Sequence, residues 1–242
     1  MPDSRNHRGA HPRDEICFAE ERLPLLRQAT AQLSWLLTRG FPVEGSAELV
    51  GNRHALLARQ RDALQRCAAS EQACASRAAR RFEPAQLFGR ELWVDGYNVL
   101  LTVEAALGGG VILGACDGVY RDLSAMSRHY RRVAETRAAV EHIGDFLAAL
   151  APVRVRWLFD APISNSGRLA RLLRELAADR DWPWEVELAD NPDRLLRTTP
   201  AVVATADSAV LDRCGPWLNL ARLVVDAAAR DAWLIDLSGG VP

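Results

Sequence analysis

Lysine is missing from this chain: all 30 of its basic side chains are arginine. Alanine is abundant beside them, so the bias is one of composition. With 31 acidic residues the formal net charge is −1, which leaves no global field to draw in a polyanion or a charged membrane. Cysteine is sparse. Cys17, Cys67, Cys74, Cys116 and Cys214 form no Cys-x-x-Cys pair and no Cys/His cluster. That argues against a structural zinc site and a disulfide framework, and fits free thiols in a reducing compartment. Residues 1–13 are polar and lack the apolar stretch of a signal peptide. No run elsewhere reaches the roughly 20 residues that span a bilayer. A cytoplasmic protein with no membrane partner is expected. Neither Gly-x-Gly-x-x-Gly nor a P-loop is present, which excludes those dinucleotide and nucleoside-triphosphate sites. The histidines supply no general base: His54, His129 and His142 fall in helical segments, His7 and His11 in the polar tail, and none has a revealing partner.

What is present divides in two. Residues 14–82 read as a small helical domain behind a disordered 1–13 tail. Pro24 suits a first turn, and Leu26, Ala29, Leu33 and Leu36 recur at helical spacing before Gly40. Ser46 is a candidate cap for a short helix ended by Gly51. A longer helix with Leu56, Leu57, Leu64 and Cys67 on its apolar side follows. Between residues 53 and 81 stand seven arginines, among them Arg59 and Arg61, against Asp62 and Glu71. A solvated helix face and an RNA- or DNA-contacting face both account for this stripe. Periodicity fades over residues 72–90, which marks a domain boundary.

From residue 90 to 242, short apolar runs alternate with helical stretches, the signature of βαβ units and a parallel sheet flanked by helices. Strands are expected at 92–94, 153–159, 184–188, 201–205, 222–225 and 233–237, and helices at 122–150, 167–181 and 208–214. Three of the runs deliver an acid at the carboxyl end: Asp95, Asp160 and Asp207. Such positions line the ligand crevice of a parallel sheet. Gly96 allows a sharp turn behind Asp95, Asn98 offers a neutral ligand or donor, and Asp193 starts a helix near the same edge. Each acid taken singly fits a helix cap. Together, Asp95, Asp160 and Asp207 meet the needs of a hard Mg²⁺ or Mn²⁺ ion, with Asp193 in support. The loop Ser164, Asn165, Ser166 and Gly167 opens a helix where backbone N–H groups could receive a phosphate. A glycine-rich insertion, residues 108–118, forms either a structural turn or a hairpin or loop over the crevice, from which Asp117, Arg121 and Asp122 could reach the site.

Val94-Asp95-Gly96-Tyr97-Asn98, the strand ending at Asp160, and Thr205-Ala206-Asp207 resemble the acidic strand ends of PIN-superfamily nucleases of the NYN type. The likeness covers about 150 residues with short motifs. It implies a Rossmann-like sheet that gathers acids around Mg²⁺ or Mn²⁺ to cut RNA. Asp95 resembles the first metal-site acid, Asn98 the asparagine of DGxN, Asp193 a helix acid after the third strand, Asp207 the last strand-end acid, and Asp160 an acid after the second strand of some members. A whole-chain resemblance is to an uncharacterised prokaryotic family catalogued as domain of unknown function 434, with a companion carboxyl-terminal domain. It is carried by Arg39-Gly40-Phe41-Pro42, Leu49-Val50-Gly51-Asn52-Arg53, Asp95-Gly96-Tyr97-Asn98-Val99-Leu100 and Pro162-Ile163-Ser164-Asn165-Ser166-Gly167, and it implies no activity. The leading expectation is a metal-dependent ribonuclease or related phosphodiesterase. Its rivals are a noncatalytic RNA-binding or regulatory protein using the arginine stripe, and a nucleotide- or phosphate-metabolite-binding module.

Overall fold

Asp95 ends the strand at which a parallel sheet changes its direction of winding. The computed structural model describes residues 7–123 and 130–238; His129 and the first residues of the tail lie outside these. Five helices come first: α1 (Asp14–Cys17), α2 (Leu23–Thr38), α3 (Val43–Arg53), α4 (Ala58–Cys67) and α5 (Glu71–Arg80). Then follow β1 (Arg81–Phe82), β2 (Glu91–Asp95), α6 (Gly96–Leu107), β3 (Ile112–Gly114), β4 (Tyr120–Asp122) and α7 (Thr136–Leu150). The chain continues through β5 (Arg154–Asp160), α8 (Ser166–Asp179), β6 (Trp184–Ala189), α9 (Pro192–Thr198) and β7 (Val202–Ala204). It closes with α10 (Ser208–Leu211), β8 (Trp217–Leu218), α11 (Leu220–Ala228) and β9 (Leu234–Asp236).

Six strands form one sheet in the order β1-β8-β7-β2-β5-β6, and every neighbouring pair is parallel. From β2 the chain winds outward through β5 and β6, then returns to the other side of β2 for β7 and β8. The carboxyl end of β2 is therefore a topological switch point, where the flanking crossovers diverge and leave a crevice. Both faces of the sheet are covered, and successive residues alternate between two apolar clusters. Trp157 and Phe159 join α6, α7, α8 and α11 on one face. Leu158, Val203 and Trp217 join the amino-terminal helices and α10 on the other. Two-sided burial explains why these strands read as continuous apolar runs.

The α/β reading with a helical amino-terminal region is what the structure shows, with local differences. Residues 222–225, expected as a strand, lie inside α11. Leu220, Ala221, Val224 and Val225 are its buried stripe, and a four-residue Val-rich run does not distinguish a period of 2 from one of 3.6. The run at 233–237 is a strand, yet it pairs with β3 in a separate three-stranded sheet, β4-β3-β9. The expected helix at 122–150 begins only at Thr136, because Asp122 closes the β3–β4 hairpin; residues 124–129 lie outside the described residues. Ser46 sits inside α3 rather than capping it. Residues 72–90 hold α5 and β1, and β1 pairs with β8 in the main sheet. The helical region thus contributes a strand to the sheet and a large part of one core cluster.

Candidate functional site at the carboxyl edge of the sheet

Two hydrogen bonds tie the end of β2 and the start of α6 to the segment after β7, and a third braces that segment. The Thr205 hydroxyl donates to Asp95 Oδ2 at 2.7 Å and accepts the Asp207 N–H at 3.0 Å. The Ala206 N–H donates to Asn98 Oδ1 at 2.6 Å. The amide oxygen of Asn98 is thereby occupied, and its Nδ2 is the group left to act as a donor. Asp207 in turn caps α10, accepting the Val210 N–H at 2.9 Å. Gly96 serves close packing rather than a left-handed turn: it opens α6, and a Cβ there would meet the Phe159 ring at 2.4–2.6 Å.

The electrostatics identify which acids share a field. The Asp95 carboxyl is held at about 7: desolvation raises it most, the charges of Asp207 and Asp193 add to that, and the Thr205 and Asn98 hydrogen bonds work against them. Asp193 is raised by burial and then by Asp207, opposed by Arg197, whose Nη2 donates to it at 3.1 Å. Asp160 is raised by burial and then by Asp193. The cluster is therefore centred on Asp193, the helix acid, which couples to Asp95, Asp207 and Asp160. Among the described residues no group of three His, Cys, Asp or Glu side chains stands close enough to hold a metal ion.

Most of the remaining candidates have partners within the fold. Arg121 is buried and engages five acceptors: Ala206 O, Arg66 O, both Asp117 oxygens and Ser208 Oγ. That uses all five donors of a guanidinium, so its role here is to clamp the loop carrying Asp207 onto the β3–β4 hairpin. Asp117 is also paired with buried Arg77, and the Arg121 charge, followed by that of Arg77, overcomes burial and holds its carboxyl below the usual range. Of residues 108–118, those from 112 onward form the first strand and turn of the β3–β4 hairpin in the second sheet, and 108–111 link it to α6. In the loop after β5, Asn165 turns its amide to the Tyr130 carbonyl at 3.0 Å, and the Ser164 carbonyl accepts the Tyr130 N–H at 3.3 Å. Ser166 is buried with its hydroxyl 3.5 Å from Ala161 O, while the Cα of Gly167 faces open space. Arg59 pairs with fully buried Asp14. Arg61 donates to Leu56 O and Asn52 Oδ1, both at 2.9 Å. Arg77 and Arg80 likewise bind internal partners, so most of the arginine stripe joins elements together.

Thr205 and Arg197 are the site residues that sequence reasoning missed as side chains with a role; both lie within a few positions of acids it singled out. An α/β protein with an acid-lined switch point on a wholly parallel six-stranded sheet is the class that fold and site define. Within that class, the chain belongs to the family described as a domain of unknown function, DUF5616, which matches residues 84–223. Residues 25–80 match a protein of unknown function, DUF434. An uncharacterized protein of Methanocaldococcus jannaschii is 26% identical over 186 residues, 77% of this chain and 88% of the relative. No solved structure matches the chain. Among the described residues no helix is long and apolar enough to cross a membrane.

Proposed function

We propose that the protein is a metal-dependent ribonuclease or related phosphodiesterase of PIN/NYN-like type, acting at the carboxyl edge of β2. The observation that carries this reading is Asp95. It is an acid at the switch point, desolvated and pressed by the charges of Asp207 and Asp193 until it titrates near 7. A carboxyl so raised ionises fully at neutral pH only with a positive partner beside it.

The donor set fits Mg²⁺ or Mn²⁺. Every candidate ligand is a hard oxygen, and Mg²⁺ keeps several waters, needing only one or two carboxylates together with substrate phosphates. A site without three convergent carboxylates is compatible with that mode. Asp95 and Asp207 would hold the ion, with Asp193 and Asp160 as the further acids. When bound, the ion would neutralise nonbridging phosphate oxygens and ease deprotonation of a water. Thr205 fixes the rotamer of Asp95 through its hydroxyl. Asn98, anchored through Oδ1, presents its amide N–H groups to an acceptor on the substrate, and Arg197 restrains Asp193.

The test compares thermal melts of the wild type and Asp95→Asn with and without Mn²⁺, alongside a cleavage screen over RNA, single-stranded DNA and duplexes. Mn²⁺ raises the wild-type melting temperature by mass action and leaves the variant almost unmoved, and metal-dependent cleavage of RNA disappears in the variant. Equal metal-induced shifts in both proteins would remove Asp95 from the site and overturn the reading.

A further inference from the structure

Away from the acids, two guanidinium groups from distant parts of the chain converge on one glycine. Gly118 sits between the strands of the β3–β4 hairpin at φ +78°, and a Cβ there would lie 3.8 Å from Nη1 of Arg222 and 3.8 Å from Nη1 of Arg81. Arg222 belongs to the first turn of α11 and Arg81 to β1. Their like charges repel, and what compensates them is loose. Arg81 has Glu83 at 3.8 Å, and Arg222 has Asp226 at 3.5 Å, all of them well exposed to solvent, the kind of pair that contributes little. Asp226 also serves the Tyr120 hydroxyl, which dilutes its hold on Arg222. Arg222 is kept in place by donating to Gly118 O at 2.8 Å and by stacking over the Tyr120 ring. The convergence is therefore held by the fold rather than by mutual attraction.

Beside this point opens a cavity of about 350 Å³ lined by Gly118, Tyr120, Arg222 and Asp236. Asp236 Oδ1 accepts the Ser238 N–H at 2.9 Å, and its charge disfavours an anion placed directly beside it. We propose that Arg81 and Arg222 form a phosphate-binding site over Gly118, suited to the terminal phosphate of a phosphomonoester. A phosphate dianion offers several acceptor oxygens to two planar guanidinium forks, and the cavity gives room for the body of a small ester. A phosphorylated metabolite and the 5′-phosphate of a nucleic acid present this same chemistry. The inference stands on these arginines alone and is independent of the acidic edge.

The experiment measures melting of the full chain in inorganic phosphate against sodium chloride of equal ionic strength, for the wild type, Arg81→Gln and Arg222→Gln. Phosphate stabilises the wild type beyond chloride, and its apparent affinity falls about tenfold in each variant, as expected when a charge-assisted fork is removed. Arg222→Gln also loses the bond to Gly118; Arg81→Gln touches only the weak Glu83 pair, so it separates ligand loss from fold damage. Adenosine 5′-monophosphate and a 5′-phosphorylated oligoribonucleotide, each beside its unphosphorylated form, tell which source binds tighter. Phosphate acting no better than chloride on the wild type, or equally on wild type and Arg81→Gln, overturns the proposal.

Discussion

Asp95 carries a pH dependence whose sign follows from its surroundings. Its folded value, about 7, lies above the ordinary carboxylate range, so the native state holds the proton over a window in which the unfolded chain has released it. Stability attributable to this residue is present at low pH, declines as pH rises from about 4 towards 7, and is lost above that. In the presence of a chelator, Asp95→Asn therefore flattens the decline and is the more stable protein at pH 8, by roughly 2–4 kcal/mol; chemical denaturation at pH 4.5 and pH 8 checks it. A variant no more stable than the wild type at pH 8 would mean that Asp95 is not desolvated. The position of this acid was legible in the sequence because an apolar run followed by Asp-Gly is readable locally, and the same holds for Asp160 and Asp207. The coupling among them was not. That Asp193 is their centre depends on strand order, and the Thr205–Asp95 bond joins residues 110 positions apart. Arg59, Arg61 and Arg121 show the converse: a charge along the chain looks solvated until a buried partner such as Asp14 or Asp117 folds against it.

Among the elements, α7 is placed by a glycine. A Cβ on Gly144 would stand 2.0–2.4 Å from the Trp182 ring, which is buried and packed at 4.6 Å from Trp184. Gly144→Ala is expected to lose about 1–3 kcal/mol through overpacking, outweighing the gain in helix propensity of roughly 1 kcal/mol. Adding Trp182→Leu should restore much of the loss, a non-additivity that a double-mutant cycle of thermal melts measures. If Gly144→Ala melts at or above the wild type, the close contact is absent. Element by element, β2, β5, β6 and β7 were readable from apolar runs. Strands β1 and β8, two residues each, acquire strand character only by pairing with each other and with β7, so no local period announces them. Distance hid the pairing of the second sheet: the 233–237 run reads as a strand, but its partner β3 lies more than a hundred residues away.

For the whole molecule, the helical region and the α/β region share one core: Leu33, Leu64 and Cys67 pack in the same cluster as Leu113, Val203 and Trp217. Residues 90–242 expressed alone would expose that face and lose β1, and they are expected to show no cooperative melt, whereas the full chain unfolds in one transition. A fragment melting cooperatively near the full-length temperature would make the two regions autonomous. The change of period is what suggests a division into 14–82 and 90–242. The continuity of packing across it was not legible, because the crossing strand is too short to read. That short strand has one more consequence. A sheet's outermost strands are where a second chain can add its own backbone and start aggregation. Here one margin is a two-residue strand, and the other, β6, carries Glu185 and Glu187 paired to Arg154 and Arg156 of β5. Neither margin offers a long uncharged row of unpaired amides, so growth of the sheet from copy to copy is disfavoured from both sides.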